Sequence, residues 1–251
     1  LKLKIAMGSP AESLLEPIEQ LQGTFSHGRL GEFFEGRDQP LLVRSALQPL
    51  SWPVLRWGGQ GKREEPNGLA TLTAEHGHRL VDVRFAPRRS KLTSRTPWEG
   101  ECERLHDVQL HDFCAWLISE SLPSTSALAD LPPANKVWGY CAYQHFEELF
   151  AEAPNANRHA ADFGELLGGQ FCATSAPTLW LGSMGACTPC HQDAYGCNVV
   201  AQVAGRKRWL LFSPEEGAKH LQPQRLPYED ASVFTGQDPL CCFGSSAGGA
   251  G

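Results

Sequence analysis

The chain has 251 residues, 41% of them hydrophobic and 20% charged, with a formal net charge of −6. That is the composition of a globular chain with enough apolar residues for one ample core or two small ones. The negative balance gives no electrostatic reason to expect nucleic-acid binding, and no apolar run approaches membrane-spanning length.

The opening, Leu-Lys-Leu-Lys-Ile-Ala-Met7, holds too short an apolar stretch for a signal peptide. From Ser9 to Phe34, residues Leu14, Leu15, Ile18 and Leu21 recur as one face of a helix with glutamates opposite, which predicts an amphipathic helix on the edge of the fold. Pro40–Arg44 reads as a short strand, and Leu50–Trp57 as a lead-in whose tryptophans belong in the core. The Gly- and charge-rich stretch Gly58–Gly68 is expected to be a connection. Leu80–Phe85 reads as a strand, preceded by His76-Gly-His78. Two imidazoles at that spacing are able to bind a metal, but Gly77 breaks the run and no third ligand follows, so a turn is the expectation. Polar Arg88–Gly100 is expected as a loop. Leu110–Ile118 reads as a helix with Phe113, Trp116 and Leu117 inward, and Ser121–Pro133 links it onward.

The most informative stretch runs from Thr178 to Pro214. Thr178–Ser183 reads as a strand, and Asn198–Val203, a turn at Ala204-Gly205, and Lys207–Phe212 read as a hairpin. Between them stands His191-Gln-Asp193. In extended chain, residues two apart face the same side, so an imidazole and a carboxylate point to one place. By itself the pair also fits a solvated turn. Such pairs usually sit there, but this one has the spacing to supply two of the three ligands of a 2-His-1-carboxylate site on non-haem Fe(II). Lys207 projects from the return strand, where a buried ammonium is costly unless it meets an anion.

The segment Gly182–Asp193, followed by Asn198, Gln202 and Gly205–Pro214, resembles the centre of a JmjC (cupin-like) 2-oxoglutarate oxygenase. Trp138-Gly-Tyr140-Cys-Ala-Tyr143 upstream and Leu226–Phe234 downstream extend the resemblance, which runs from about Lys136 to Phe234 and is strongest toward the branch that associates with a small heat-shock protein. The resemblance implies a mainly β fold with flanking helices (α+β), a double-stranded β-helix of the cupin or jelly-roll kind. It implies Fe(II) and 2-oxoglutarate as cofactor and co-substrate, hydroxylation of a protein as the activity, and a small heat-shock protein or another protein as the partner. It makes His191 and Asp193 iron ligands and Lys207 the cation for the distal carboxylate of 2-oxoglutarate. Thr188 and Tyr140 would contact the co-substrate, and Asn198, placed by assuming a one-residue insertion around Gly196, would lie near its other end.

The family's second histidine has no counterpart here. His220 falls in Glu215–Gln224, read as a loop, and suits a solvated surface. Asp238–Gly251 is small and aperiodic. The expectation is therefore a C-terminally truncated barrel that does not turn over, with residues 1–130 as N-terminal helices and first strands, 131–238 as an incomplete cupin-like core, and 239–251 as an irregular tail. A non-catalytic binding protein is the alternative.

Nine cysteines (Cys102, Cys114, Cys141, Cys172, Cys187, Cys190, Cys197, Cys241 and Cys242) lack the density of a disulfide scaffold, and reduced thiols in the cytoplasm are the expectation. Cys187-Thr-Pro-Cys190-His191 also fits a c-type haem attachment signature, which requires export and an axial ligand. The same cysteines suit a thioredoxin-like dithiol if a helix follows, or, with His191 and Cys197, a zinc site.

Overall fold

The computed structural model describes residues 19–22, 30–33, 36–37, 39–48, 50–58, 67–88, 102–149, 151, 161–168, 177–186, 188, 190–193, 198–221, 223–224 and 232–235. Of the helix expected over Ser9–Phe34, the described residues form only a single 3-10 turn at Leu30–Phe33. Gln20–Gln22 is instead a strand, β1, paired parallel with β2, Leu42–Arg44, while Leu14, Leu15 and Ile18 lie outside the described residues. A ladder partner more than twenty residues downstream overrides a local helical spacing.

The Pro40–Arg44 expectation is met by β2, and Trp52 and Trp57 are buried as foreseen, at 3% and 7% exposure. Each indole N–H finds an acceptor, Glu165 at 2.9 Å for Trp52 and Glu75 at 2.9 Å for Trp57. Glu75 lies on α1, Asn67–His76, a helix that the sequence reading did not anticipate.

The centre is an antiparallel sheet of β3 (Leu80–Pro87), β4 (Glu103–Gln109), β5 (Val137–His145) and β6 (Thr178–Gly182), in the order β4-β3-β5-β6. Alternation along β3 sets its two faces: Val81, Val83 and Phe85 are buried against the helices, while Asp82, Arg84 and Ala86 face the other way. The register carries this parity across the sheet. Val83 pairs with Cys141 and Cys141 with Leu181 on the helix face, whereas Arg84 pairs with Tyr140 and Tyr140 with Gly182 on the opposite face.

Covering the first face is α2, Leu110–Leu117, where Leu110, Phe113, Cys114 and Trp116 recur at helical spacing and are buried. Phe113 and Trp116 stack at 5.9 Å, and Phe85 meets Trp116 edge-on at 5.1 Å. Gly139 passes directly beneath them. A Cβ there would lie 2.7 Å from Trp116 and 2.8 Å from Phe85, so this strand position demands glycine for close approach. Gln109 provides no side-chain cap to α2. The turn before β3 does that work: Leu110 N–H donates to the Arg79 carbonyl at 2.8 Å and His111 N–H to that of Gly77 at 2.9 Å.

Strand β4 was missed because its apolar pattern is broken by a bulge opposite Val81–Val83, where Asp107 has φ of 55°. Two short helices follow, α3 (Phe146–Leu149) and α4 (Phe163–Leu167), the latter capped by Asp162, whose carboxylate accepts from Gly164 N–H and Glu165 N–H.

A second sheet joins β7 (His191–Asp193), β8 (Pro223–Gln224) and β9 (Ser232–Thr235) in the order β7-β9-β8, all antiparallel. The hairpin expected over Asn198–Val203 and Lys207–Phe212 is corrected: among the described residues neither stretch joins a ladder. Val199, Ala201 and Val203 nevertheless pack on the core at every second residue. Period-two patterning selects the buried face, but a ladder also needs a backbone partner opposite, and the pattern does not supply one. The loop expected over Glu215–Gln224 is also corrected, since Pro214–His220 forms helix α5 with Ser213 as its cap and Glu215 and Glu216 in its first turn.

Candidate functional site

Strand β7 is extended and paired through His191 with Phe234 and through Asp193 with Ser232, so the two side chains leave it on one side. They converge: His191 Nε2 and Asp193 Oδ1 are 3.2 Å apart, with side-chain exposures of 18% and 16%. Two ligand atoms set at a right angle around a metal, each about 2.1 Å from it, would lie about 3.0 Å apart. The spacing therefore fits a single cation. Asn198 holds the far side of the carboxylate, its Nδ2 donating to Asp193 Oδ2 at 2.7 Å. Among the described residues no three His, Cys, Asp or Glu side chains converge, so the pair fits as two protein ligands and a third is not found there.

A second cluster forms on the face of the central sheet opposite α2, where Tyr140 is buried. Lys207 Nζ donates to the Tyr140 hydroxyl at 3.1 Å. The amine also lies over three rings, with its nitrogen 4.5 Å from the Trp209 centroid, 5.6 Å from Tyr140 and 5.7 Å from Trp180. Burial pushes the Lys207 pKa down, because desolvation disfavours the charged form. Among the described residues no carboxylate pairs with it. Tyr140 is held by packing with Trp138, Ala86, Cys102 and Ala186. Gly182, its partner across the ladder, leaves room for the ring: a Cβ there would come within 2.8 Å of Tyr140 Cδ2.

The structure thus brings His191, Asp193 and Asn198 together, and separately Lys207 and Tyr140. Thr188 is half-buried and makes no hydrogen bond among the described residues. Asn198, expected at the co-substrate, contacts Asp193 instead. Sequence reasoning missed Trp180 and Trp209. The spacing of Trp209, two residues after Lys207, was the available signal for the latter. Trp180 joins Tyr143, with ring centroids 4.4 Å apart. Tyr143 sits at φ of 57° in a β5 bulge and borders a cavity of about 380 Å³ with Asp82, Arg84, Arg104, Asp107 and Glu148. That cavity contains neither His191 nor Lys207, so the chemistry of the site lies outside it.

The competing motifs find less support. Residues after Cys190 form β7, not a helix whose N-terminus would acidify a thiol, and Cys187 and Cys197 lie outside the described residues. Cys102, Cys114, Cys141 and Cys190 form no disulfides. His76 packs edge-on against Trp57 at 5.6 Å, burial lowers its pKa, and Gly77-His78 form the turn that caps α2.

The family model for a cupin-like domain matches residues 29–240. The chain belongs to the cupin-like domain family. Its class is accordingly the double-stranded β-helix, mainly β with flanking helices, and the curled antiparallel sheets are consistent with that. HSPB1-associated protein 1 of Rattus norvegicus is 38% identical over 216 residues, covering 84% of this chain and 40% of the relative. The Homo sapiens protein of that name is 35% identical over 213 residues, covering 84% and 39%. The Danio rerio homolog is 33% identical over 188 residues, covering 73% and 37%. This cupin-like chain therefore spans about two fifths of the length of the curated relatives it matches. No solved structure matches it. Among the described residues no helix is long and apolar enough to cross a membrane.

Proposed function

We propose that the chain carries the metal and co-substrate half-sites of an Fe(II)- and 2-oxoglutarate-dependent dioxygenase that hydroxylates a protein in the cytoplasm. The observation that carries this reading is the 3.2 Å convergence of His191 Nε2 and Asp193 Oδ1. His191 and Asp193 would hold the iron. Bound together, Fe(II) and 2-oxoglutarate supply oxygen activation and oxidative decarboxylation.

The chain's own residues orient and neutralise. Asn198 fixes one oxygen of Asp193 so that the other stays aimed beside the imidazole. Lys207 and Tyr140 present an ammonium and a hydroxyl to the distal carboxylate of the co-substrate, with Thr188 as a further donor. The anion would relieve the desolvation that now lowers the Lys207 pKa.

The test is Fe(II)-dependent succinate formation from 2-oxoglutarate: this reading, unlike the truncated-barrel expectation from the sequence, requires it of the wild-type chain and requires its loss in His191→Ala and Asp193→Ala. A second reading is favoured by the absence of a third converging ligand among the described residues: a non-catalytic partner of a small heat-shock protein, in keeping with the relatives' printed names. No succinate from wild type, with heat-shock-protein binding unchanged in both variants, replaces the first reading with the second.

A further inference from the structure

We propose that Trp209 and Trp180 are positioning residues for Lys207, forming with Tyr140 a three-ring box that holds the ammonium in place to receive a carboxylate. The inference rests on the reading of this site as the one that takes 2-oxoglutarate, and it assigns the two tryptophans a role in that binding.

Lysine is a compact charge on a flexible four-carbon stem, and left alone it reaches for water. Here it does not. Its nitrogen lies 4.5 Å from the Trp209 centroid and 5.7 Å from that of Trp180, and it donates one hydrogen bond, at 3.1 Å, to Tyr140. An ammonium has three donors, so among the described residues two are left for a ligand, and no carboxylate there competes for them. Ring faces attract the cation without neutralising it. A salt bridge to a resident aspartate or glutamate would fix the amine equally well but would occupy the donors that a substrate acid needs.

The three rings come from separate parts of the fold. Tyr140 and Trp180 stand on neighbouring strands, β5 and β6, with centroids 5.8 Å apart, and β5 is anchored through the α2 core. Trp209 comes from the segment that also carries Lys207, two residues on. Trp180 keeps 40% of its surface exposed, so one wall of the box remains open where an acid would arrive.

The experiment is calorimetric titration of the Mn(II)-loaded chain with 2-oxoglutarate, comparing wild type with Trp209→Leu, Trp209→Phe, Trp180→Leu and Trp180→Phe. A desolvated ring face contributes enough that each leucine variant is expected to bind about tenfold more weakly, and each phenylalanine variant within about threefold of wild type. The ¹³C-edited spectrum reports the box independently: the Lys207 ε-methylene protons are expected upfield in wild type and the phenylalanine variants, and to move toward the random-coil position in Trp209→Leu. A Trp209→Leu variant that keeps native circular dichroism and binds 2-oxoglutarate as wild type does overturns the inference and leaves the site reading intact. Failure of wild type to bind 2-oxoglutarate overturns both. Should a leucine variant not fold, an upfield ε-methylene signal missing from folded wild type overturns the box by itself.

Discussion

Replacing Asn198 by alanine removes a hydrogen bond that holds the carboxylate of the candidate metal pair. The bond is short, 2.7 Å from Nδ2 to Asp193 Oδ2, and its acceptor belongs to a side chain with only 16% exposure. A hydrogen bond to a charged, partly buried group contributes about 1.5–3 kcal/mol, and leaving such an acceptor unmade costs on the same scale. Water reaches the remaining exposed surface, so the lower end applies, about 1.5 kcal/mol. If that energy goes into aiming Oδ1 beside His191 Nε2, metal affinity falls by about tenfold, the lower bound for loss of a partner that orients a ligand. Mn(II) titration followed by electron paramagnetic resonance measures the affinity, and urea unfolding in chelator measures the stability. Asn198→Asp sharpens the test, because a second carboxylate against Asp193 repels it without metal and recovers part of its stability when Mn(II) is added. The reasoning is refuted if Asn198→Ala binds Mn(II) within twofold of wild type while Asp193→Asn loses it.

Three further outcomes follow from the same geometry. Gly139→Ala drives a methyl into Trp116 and Phe85 and should destabilise the chain by about 3 kcal/mol in urea unfolding, with loss of near-ultraviolet circular dichroism. Lys207→Met should abolish 2-oxoglutarate binding in calorimetry. It should also flatten the alkaline limb of the stability profile: burial lowers the folded-state pKa of Lys207, so between that value and the higher unfolded one the unfolded chain binds more protons and wild-type stability rises with pH. Cys114 and Cys141 are buried, and burial pushes both thiols up, so a thiol reagent at neutral pH should modify them only after unfolding, as followed by mass spectrometry.

What the sequence disclosed is decided by the distance over which each feature is determined. His191 and Asp193 were legible because two-residue spacing in a strand is a local rule, and β7 obeys it. Helix α2 was legible for the same reason at a different period. Its cap was not, since the carbonyls of Gly77 and Arg79 reach it from more than thirty residues away. Strand β4 hid behind its bulge, and β1 behind a leucine spacing that also suits a helix. The Asn198 bond to Asp193 is a tertiary fact with no pattern to announce it, and the resemblance pointed Asn198 elsewhere. Lys207 stood out because a buried ammonium is costly without an anion, but the rings beside it come from three stretches of chain, and only the Trp209 spacing hinted at them.

The parity of the central sheet explains why the core and the candidate site are not independent. In β5, Gly139 and Cys141 face the α2 core, and Tyr140, between them, faces Lys207. A shift of β5 along its own axis by one residue would exchange those faces, placing Tyr140 under Trp116 and Cys141 under the amine. The aromatic packing of Phe85, Phe113 and Trp116 on Gly139 therefore fixes more than stability. Because interiors are close-packed and transmit displacement, the contact that locks the register of β5 from behind also determines where the Tyr140 hydroxyl stands in front. A core substitution that leaves the fold intact but moves β5 by a few tenths of an ångström would be felt at Lys207 before it is felt at His191, which hangs from a different sheet.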